Sequence, residues 1–457
     1  MAADFSSTAG RLAMQPAKEP MASRYDSWPD RQQNGDCHDG RIFHFKNAIL
    51  HAEQLPLPEI AAAVETPFYC YSSAAICDSY LALAEAVAPL PARICYAVKA
   101  NGNLSVLRSL ARLGAGADVV SGGELLRACA AGMAPGNIVF SGIGKTEAEL
   151  RLALTCQVGH INVESAGELD LLARLCREQA KPMTIRLRVN PDLDAGTHAK
   201  ITTGTAESKF GIAWAELPAL YRRAQGLSGI VLQGLALHIG SQILDLERFR
   251  VAFRRLAEMV QALRNAGLSV IDLDLGGGLG IDYIGKRRPD YAGYAAIIGE
   301  TLGQLQCKLT IEPGRCLVAQ SGLLVTRVIN IKPAPQGYFV VVDAAMNDLL
   351  RPALYDAVHT IRSVRQMTAA SAVPCHIVGP VCESSDVFAR NLAMPLPAIG
   401  DLLAIENAGA YGAVMASTYN ARPLIPEVLV DGDRHAVVRR RLSVYAMLQQ
   451  EPLAPWL

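Results

Sequence analysis

A lysine, a histidine, a glutamate and a run of glycines hold most of the chemistry that this sequence can offer. Lys99 closes the apolar run RICYAVK, residues 93–99. An amine at the end of a buried strand is desolvated, which lowers its pKa and makes it a usable nucleophile toward an aldehyde. Taken alone, such a lysine is more often one that snorkels from the strand end into solvent. Its companions change that balance. His238, Gly240 and Ser241 fall within HIGSQ, Gly276, Gly277 and Gly278 stand together, and Glu312, Pro313, Gly314 and Arg315 close the run LTIEPGR. Three consecutive glycines let backbone N–H groups approach phosphate oxygens closely, and an arginine adds a charged fork. A bare glycine triplet is more often a tight turn, so it gains meaning only from its neighbours.

The elements that must position these residues are short, β-branched runs separated by amphipathic stretches. Eight such runs are RICYAVK (93–99), ADVVS (117–121), IVFSG (138–142), HINVES (160–165), TIRLRVN (184–190), VLQGLALHIG (231–240), VIDLDLGG (270–277) and LTIEPGR (309–315). The clearest helical pattern between them is Phe249, Phe253, Leu256, Val260 and Leu263, stopped by Gly267 as a C-cap. Eight strand-then-helix units over roughly 250 residues are what a (β/α)8 barrel of the TIM type requires. A doubly wound open sheet is the rival, but no G-x-G-x-x-G follows the first strand. Barrel enzymes carry their chemistry at the C-terminal ends of strands, and strands seven and eight usually hold phosphate. A strand-end lysine, an aromatic histidine, an acid and a glycine cradle then describe a pyridoxal phosphate pocket: covalent anchor, ring stack, ring-nitrogen partner and phosphate site.

Beyond Arg315 the texture changes to long strands without intervening helices: LLVTRVINI (323–331), GYFVVVDAA (337–345), CHIVGP (375–380), DLLAIENAGA (401–410) and the stretch from Val428. These predict a separate antiparallel β domain. The expected division is a loose tail over residues 1–35, a segment 36–65 joining the β domain, a barrel over 66–316 and the β domain over 317–457. The whole composition fits two domains. In 457 residues, 43 Lys+Arg balance 43 Asp+Glu, 51% are hydrophobic, 19% charged and 6% aromatic. That apolar content supports a sizeable core and argues against disorder or coiled coil. The evenly mixed charges give no footprint for nucleic acid or anionic lipid. No apolar run approaches the roughly 20 residues that span a bilayer, and no secretory layout opens the chain, so a cytoplasmic protein is expected. Eleven cysteines without a C-x-x-C pair suggest neither a disulfide framework nor a zinc site.

The motifs YAVKAN (96–101), HIGSQ (238–242), GGGLGI (276–281), EPGR (312–315) and CESSD (382–386) resemble the fold-type III pyridoxal phosphate-dependent decarboxylases, whose fold is that of the alanine racemases. RVNPDLDAGTH (188–198), ITTG (201–204), KFGI (209–212), DVVSGGEL (118–125) and MNDLLRPALY (346–355) are similar to the members that act on diaminopimelate. The resemblance covers about residues 38–450. It implies that Lys99 holds the cofactor as an internal aldimine, that His238 stacks on the pyridine ring and that Glu312 pairs with the ring nitrogen. An acid there keeps the nitrogen protonated, so the ring can take up the electron pair left by a departing carboxyl group. Racemases of this fold place an arginine at that position, so Glu312 favours decarboxylation. The phosphate contacts implied are Ser241, Gly277, Gly278, the backbone from Glu312 through Gly314 to Arg315, and the hydroxyl of Tyr411.

Cys382 is, by the same resemblance, the proton donor to the carbanion, on a loop that in relatives crosses a dimer interface. A homodimer with shared active sites is therefore expected. One departure is Ser385, where the family usually has glycine. A substrate with a second amino-acid head needs donors for its distal carboxylate, which Arg315 and Arg351 could supply with the Tyr355 and Tyr411 hydroxyls, while Glu383 receives the distal ammonium. Such a fork would repel simple diamino substrates such as ornithine. The resulting expectation is decarboxylation of meso-2,6-diaminopimelate to L-lysine, the last step of lysine biosynthesis. The alternatives are a decarboxylase of another carboxylated diamino acid of siderophore type, and a non-catalytic regulatory homologue. The presence of Lys99 and Cys382 weighs against the second.

Overall fold

The β-branched runs become strands, and the order in which they pair decides where the site lies. The computed structural model describes residues 42–193, 209–285, 287–367 and 371–457. In chain order its strands are β1 (Phe43–Lys46), β2 (Ile49–Ala52), β3 (Leu55–Pro56), β4 (Phe68–Ser72), β5 (Ala92–Ala97), β6 (Gly116–Val119), β7 (Ile138–Phe140), β8 (His160–Val163), β9 (Met183–Asn190), β10 (Ile212–Ala213) and β11 (Ile230–Ala236). They continue with β12 (Asp272–Asp274), β13 (Lys308–Ile311), β14 (Gly322–Pro333), β15 (Tyr338–Val342), β16 (Ile361–Ser363), β17 (Ala372–Val378), β18 (Val387–Pro395), β19 (Leu402–Ile405), β20 (Glu427–Asp431) and β21 (Arg434–Arg439).

The eight expected barrel runs are β5 to β9 and β11 to β13. They pair in the order β9, β11, β12, β13, β5, β6, β7, β8, and the parallel ladder between β8 and β9 closes the ring. Helices pack outside it, most of them entered through a side chain that accepts an orphan N–H. Ser121 accepts from Glu124 N, Ser165 from Glu168 N, and Thr146 with Glu149 forms a full capping box. The helix Leu246–Asn265 buries Phe249, Phe253, Leu256, Val260 and Leu263 as the periodicity requires. It is capped at Ala266, and Gly267 follows at φ +77°, a conformation costly for any residue with a Cβ.

The (β/α)8 barrel is present as expected, with its last strand, β13, followed by a helix of only one turn, Arg315–Val318. The helix Ser73–Val87, which precedes the first barrel strand, packs against both Leu104–Arg112 and Tyr291–Leu302 and so covers the gap. The reason is topological: after β13 the chain must leave at once for the second sheet.

That sheet runs β18, β17, β15, β14, β4, β20, β21, with β19 bound to β14 and carrying β16. It is antiparallel except for two ladders, β15 with β17 and β4 with β20. A parallel pair needs a long crossover, and the stretch holding the helix Arg351–Tyr355 and β16 supplies one between β15 and β17. Strand β4 lies just after residue 66, where the barrel was expected to begin, yet it sits between β14 and β20 of the second sheet. All five of its residues are buried, which suits a central strand covered on both faces. The earlier segment forms its own small sheet, β1–β2–β3, and contributes Leu50, Leu57 and Ile60 to an apolar cluster with Phe68, Val325 and Val428. No helix among the described residues is long and apolar enough to cross a membrane.

Candidate active site

Two linked cavities open where the barrel strands end. The deeper one, about 280 Å³, is lined by Lys99, Ser141, Asn162, Arg188, His238 and Glu312 among others. The outer one, about 530 Å³, is lined by His238, Ser241, Arg315, Arg351, Tyr355 and Tyr411 together with Tyr283. His238 and Phe210 belong to both. Strands β5, β7, β8, β9, β11 and β13 thus deliver polar side chains to one mouth, and the second sheet supplies Arg351, Tyr355 and Tyr411 from above.

Lys99 follows β5 in the short turn Val98–Ala100, and its Nζ donates to Asp118 Oδ2 at 2.7 Å. The expectation of a lowered amine pKa is not met. Burial pushes it down, but the charge of Asp118, with help from Tyr411 and Glu312, prevails and raises it. Parallel register places Ala97 opposite Asp118, so the acid arises at the end of the adjacent strand. Asp118 had no role in the sequence reading, although it lies in one of the motifs.

Glu312 is buried at the end of β13. Its backbone N–H donates to Gly276 O at 2.7 Å, and Ser141 Oγ donates to its Oε1 at 3.4 Å. Burial, then the charges of Asp118 and Asp274, hold its carboxyl pKa well above the ordinary range. Below it, Arg186 bonds Asp274 Oδ2 at 3.2 Å, Asp272 Oδ1 at 2.5 Å and Thr310 Oγ1 at 2.9 Å, a fully buried polar layer across the barrel.

The glycine run is required by close approach. A Cβ on Gly277 would lie 2.2 Å from Glu312 O, and one on Gly278, at φ +109°, would lie 2.5 Å from Gly240 O. The Gly277 N–H donates to His238 Nδ1 at 3.2 Å, which leaves any ring proton on Nε2. Burial, followed by the Arg188 and Lys99 charges, pushes the His238 pKa far down, so the ring is neutral. Gly314 meets Ala97 and Ala100, where a Cβ would come within 3.1 Å of each methyl.

The two arginines differ from the other cations of the site. Arg188 bonds Glu164 at 2.7 Å, as Lys99 bonds Asp118. Arg315 instead donates to Tyr283 Oη at 2.6 Å and Ser241 Oγ at 3.1 Å, and lies 4.6 Å from the Tyr411 ring centroid. Arg351 faces His359 Nε2 at 2.7 Å and lies 4.3 Å over the Tyr283 ring. Neither is paired with a carboxylate among the described residues, and the Nε of each is buried without a partner. A buried cation without an anion is costly, so this wall is built to receive one. Tyr283 and His359 were missed by the sequence reading.

Cys382 and Glu383 line neither cavity. Cys382 is exposed, and Glu383 accepts from Tyr419 Oη at 2.6 Å. Their loop is pinned by Asp386, which accepts from Val381 N and Met346 N at 2.7 Å each. Of the motif RVNPDLDAGTH and the following ITTG, residues 194–204 lie outside the described residues. The donor set fits pyridoxal phosphate: an amine, a buried acid, a neutral ring and a glycine-lined end with an arginine short of one partner.

Comparison with known proteins agrees. The family description "Pyridoxal-dependent decarboxylase, pyridoxal binding domain" matches residues 74–319. The chain is 47% identical to a diaminopimelate decarboxylase of Pseudomonas aeruginosa over 413 residues, covering 90% of this chain and 99% of that one. It is 44% identical to that of Zymomonas mobilis over 420 residues, covering 91% and 99%. A crystal structure of the M. jannaschii diaminopimelate decarboxylase in complex with L-lysine is similar with a TM-score of 0.87 at 34% identity, covering 91% of this chain and 98% of that one.

Proposed function

The chain belongs to the diaminopimelate decarboxylase family, and from that premise we propose that it removes the carboxyl group at the D-configured centre of meso-2,6-diaminopimelate, releasing L-lysine and carbon dioxide. The observation that carries this reading is the pair of buried guanidiniums, Arg315 and Arg351, that face one cavity without a carboxylate partner among the described residues. A substrate with a second carboxylate supplies what they lack, whereas ornithine does not.

Pyridoxal phosphate, when bound, supplies the electron sink that takes up the pair released as carbon dioxide leaves. Lys99 would anchor it through Nζ, and Asp118 holds that amine as an ammonium until then. Glu312, buried at the end of β13, would pair with the ring nitrogen and keep it protonated. His238, uncharged, offers a flat aromatic surface, while Ser241, Gly277, Gly278, Gly314, the backbone of Arg315 and the Tyr411 hydroxyl would hold the phosphate. The Arg315 and Arg351 guanidiniums, with the Tyr355 hydroxyl, grip the distal carboxylate. Cys382 Sγ would return a proton to the substrate carbon and Glu383 would receive the distal ammonium. Because this loop is exposed and outside its own chain's cavities, both act on a partner's site in a homodimer with shared active sites, in the cytoplasm. The division of labour follows: the barrel holds the cofactor and the second sheet frames the substrate.

Purified holoenzyme offered diaminopimelate, ornithine, lysine and arginine tests this by carbon dioxide release. Only diaminopimelate should be turned over efficiently, and Arg351→Ala should cost roughly 2 to 5 kcal/mol in kcat/KM, as for one partner of a buried charge pair. Release from ornithine at equal efficiency, or unchanged kinetics in the variant, overturns the substrate assignment.

A further inference from the structure

His359 lies behind Arg351 and has no part in the roles assigned above. It is 3% exposed, at the start of the strip that leads into β16. Its two ring nitrogens have unambiguous partners. Nδ1 lies 2.8 Å from the Glu406 carbonyl oxygen, which can only accept, so Nδ1 carries the proton. Nε2 lies 2.7 Å from Arg351 Nη1, which can only donate, so Nε2 presents a lone pair. An imidazolium could not occupy this position, because two donors would then meet at hydrogen-bond distance. Burial, and next the Arg351 charge, push the His359 pKa to about 3, which agrees with that geometry. The carboxylate of Glu406 bonds Arg362 Nε at 2.9 Å.

The surroundings repeat the same design. The Tyr283 ring lies under Arg351, meets His359 edge-on with 5.1 Å between centroids, and is itself held by Asn407 Nδ2 on its carbonyl at 3.0 Å. Arg351 is thus fixed from two sides by groups that carry no charge. A carboxylate in either place would orient the guanidinium as well, but would also neutralise it and compete with an incoming anion.

Resting on the reading that Arg351 grips the distal carboxylate, we propose that His359 is a positioning residue for substrate specificity: its Nε2 lone pair fixes the Arg351 guanidinium in place while leaving its charge for the substrate. The contact acts on the carboxylate that survives the reaction. L-lysine keeps that group, whereas cadaverine has no carboxylate at all, so the two compounds separate this role from general damage to the site.

The experiment compares His359→Leu, His359→Gln and His359→Glu holoenzymes, with Arg351→Ala and the Arg351→Ala/His359→Leu double variant. KM and kcat are measured for diaminopimelate, and inhibition constants for L-lysine and for cadaverine. His359→Leu should raise KM and the L-lysine inhibition constant roughly 10- to 100-fold, as for loss of a hydrogen bond to a charged group, with kcat and cadaverine inhibition changed less than about threefold. His359→Gln, which keeps an acceptor for Arg351, should recover most of the loss. His359→Glu should be as poor as Arg351→Ala, and the double variant no worse than Arg351→Ala alone. If Leu does not fold, the Gln and Glu pair decides: equal KM values overturn the proposal. Equal weakening of L-lysine and cadaverine overturns it too, as does a Leu variant that behaves as wild type. If Arg351→Ala itself leaves KM unchanged, the underlying reading of Arg351 fails; if it raises KM while the His359 variants do not, only this proposal fails.

Discussion

Replacing Asp118 by asparagine isolates what holds the Lys99 amine as a cation. The 2.7 Å ion pair is the principal influence opposing burial, and asparagine keeps the shape and a hydrogen-bonding oxygen while removing the charge. An opposite charge at this range shifts a pKa by roughly 1–3 units. The Lys99 side chain is 37% exposed, so solvent screens the pair and the lower part of that range applies. Loss of the acid lowers the amine pKa by about 1–2 units, and at any pH below both values the neutral amine becomes about 10- to 100-fold more abundant. Only the neutral amine attacks an aldehyde.

The assay is the rate at which cofactor-free protein captures pyridoxal phosphate covalently, followed by absorbance across pH and verified by borohydride fixation. In Asp118→Asn the rising limb of the rate profile should move to lower pH by about 1–2 units. Lys99→Ala supplies the blank. A limb that stays in place, or moves to higher pH, would refute the claim that Asp118 sets the ionisation of the anchoring amine.

Two other outcomes follow from the structure. If the Cys382 loop serves the partner's site, a heterodimer of Lys99→Ala and Cys382→Ala chains, isolated through two affinity tags, has one complete site of two and should recover about half the wild-type activity per dimer; no recovery refutes the crossing. The depressed His359 pKa makes the unfolded chain bind an extra proton between pH 6.5 and about 3, so stability falls as pH falls through that window, by up to roughly 1.4 kcal/mol per pH unit. Urea unfolding of His359→Gln should therefore show a shallower loss between pH 6.5 and 5 than wild type, and identical slopes would contradict a neutral buried imidazole.

What the sequence made legible was whatever repeats locally. The eight barrel runs, the helix after Asp245 and the glycines all follow from periodicity or from a backbone need that one residue states by itself. Pairings across the fold were closed to that reasoning. Asp118 lies 19 residues from Lys99, and only the register of β5 on β6 makes them neighbours. His359 depends on a carbonyl 47 residues further on, which no spacing reveals. Strand β4 is short and buried on both faces, so its alternation is silent and its membership of the second sheet cannot be read. The shortness of the eighth helix has the same origin, since the helix that covers its place comes from before the first strand. The lysine pKa was misjudged because burial was visible in the apolar run while the counter-ion was not.

The way each cation is partnered divides the site by task. Where a side chain must be held in a fixed state until the cofactor arrives, it has an acid: Lys99 with Asp118, Arg188 with Glu164, Arg186 with Asp272 and Asp274. Where an anion must be bound, the partners are hydroxyls, an imidazole lone pair and aromatic faces, as at Arg315 and Arg351. Leaving two guanidiniums uncompensated in a buried wall destabilises the free protein, and natural folds retain such violations chiefly at functional sites. The energy withheld there becomes available to the ligand, because an anion entering the wall gains the attraction that no carboxylate among the described residues has already taken. Specificity for a doubly carboxylated substrate thus depends as much on which acids this wall omits as on the two arginines it presents.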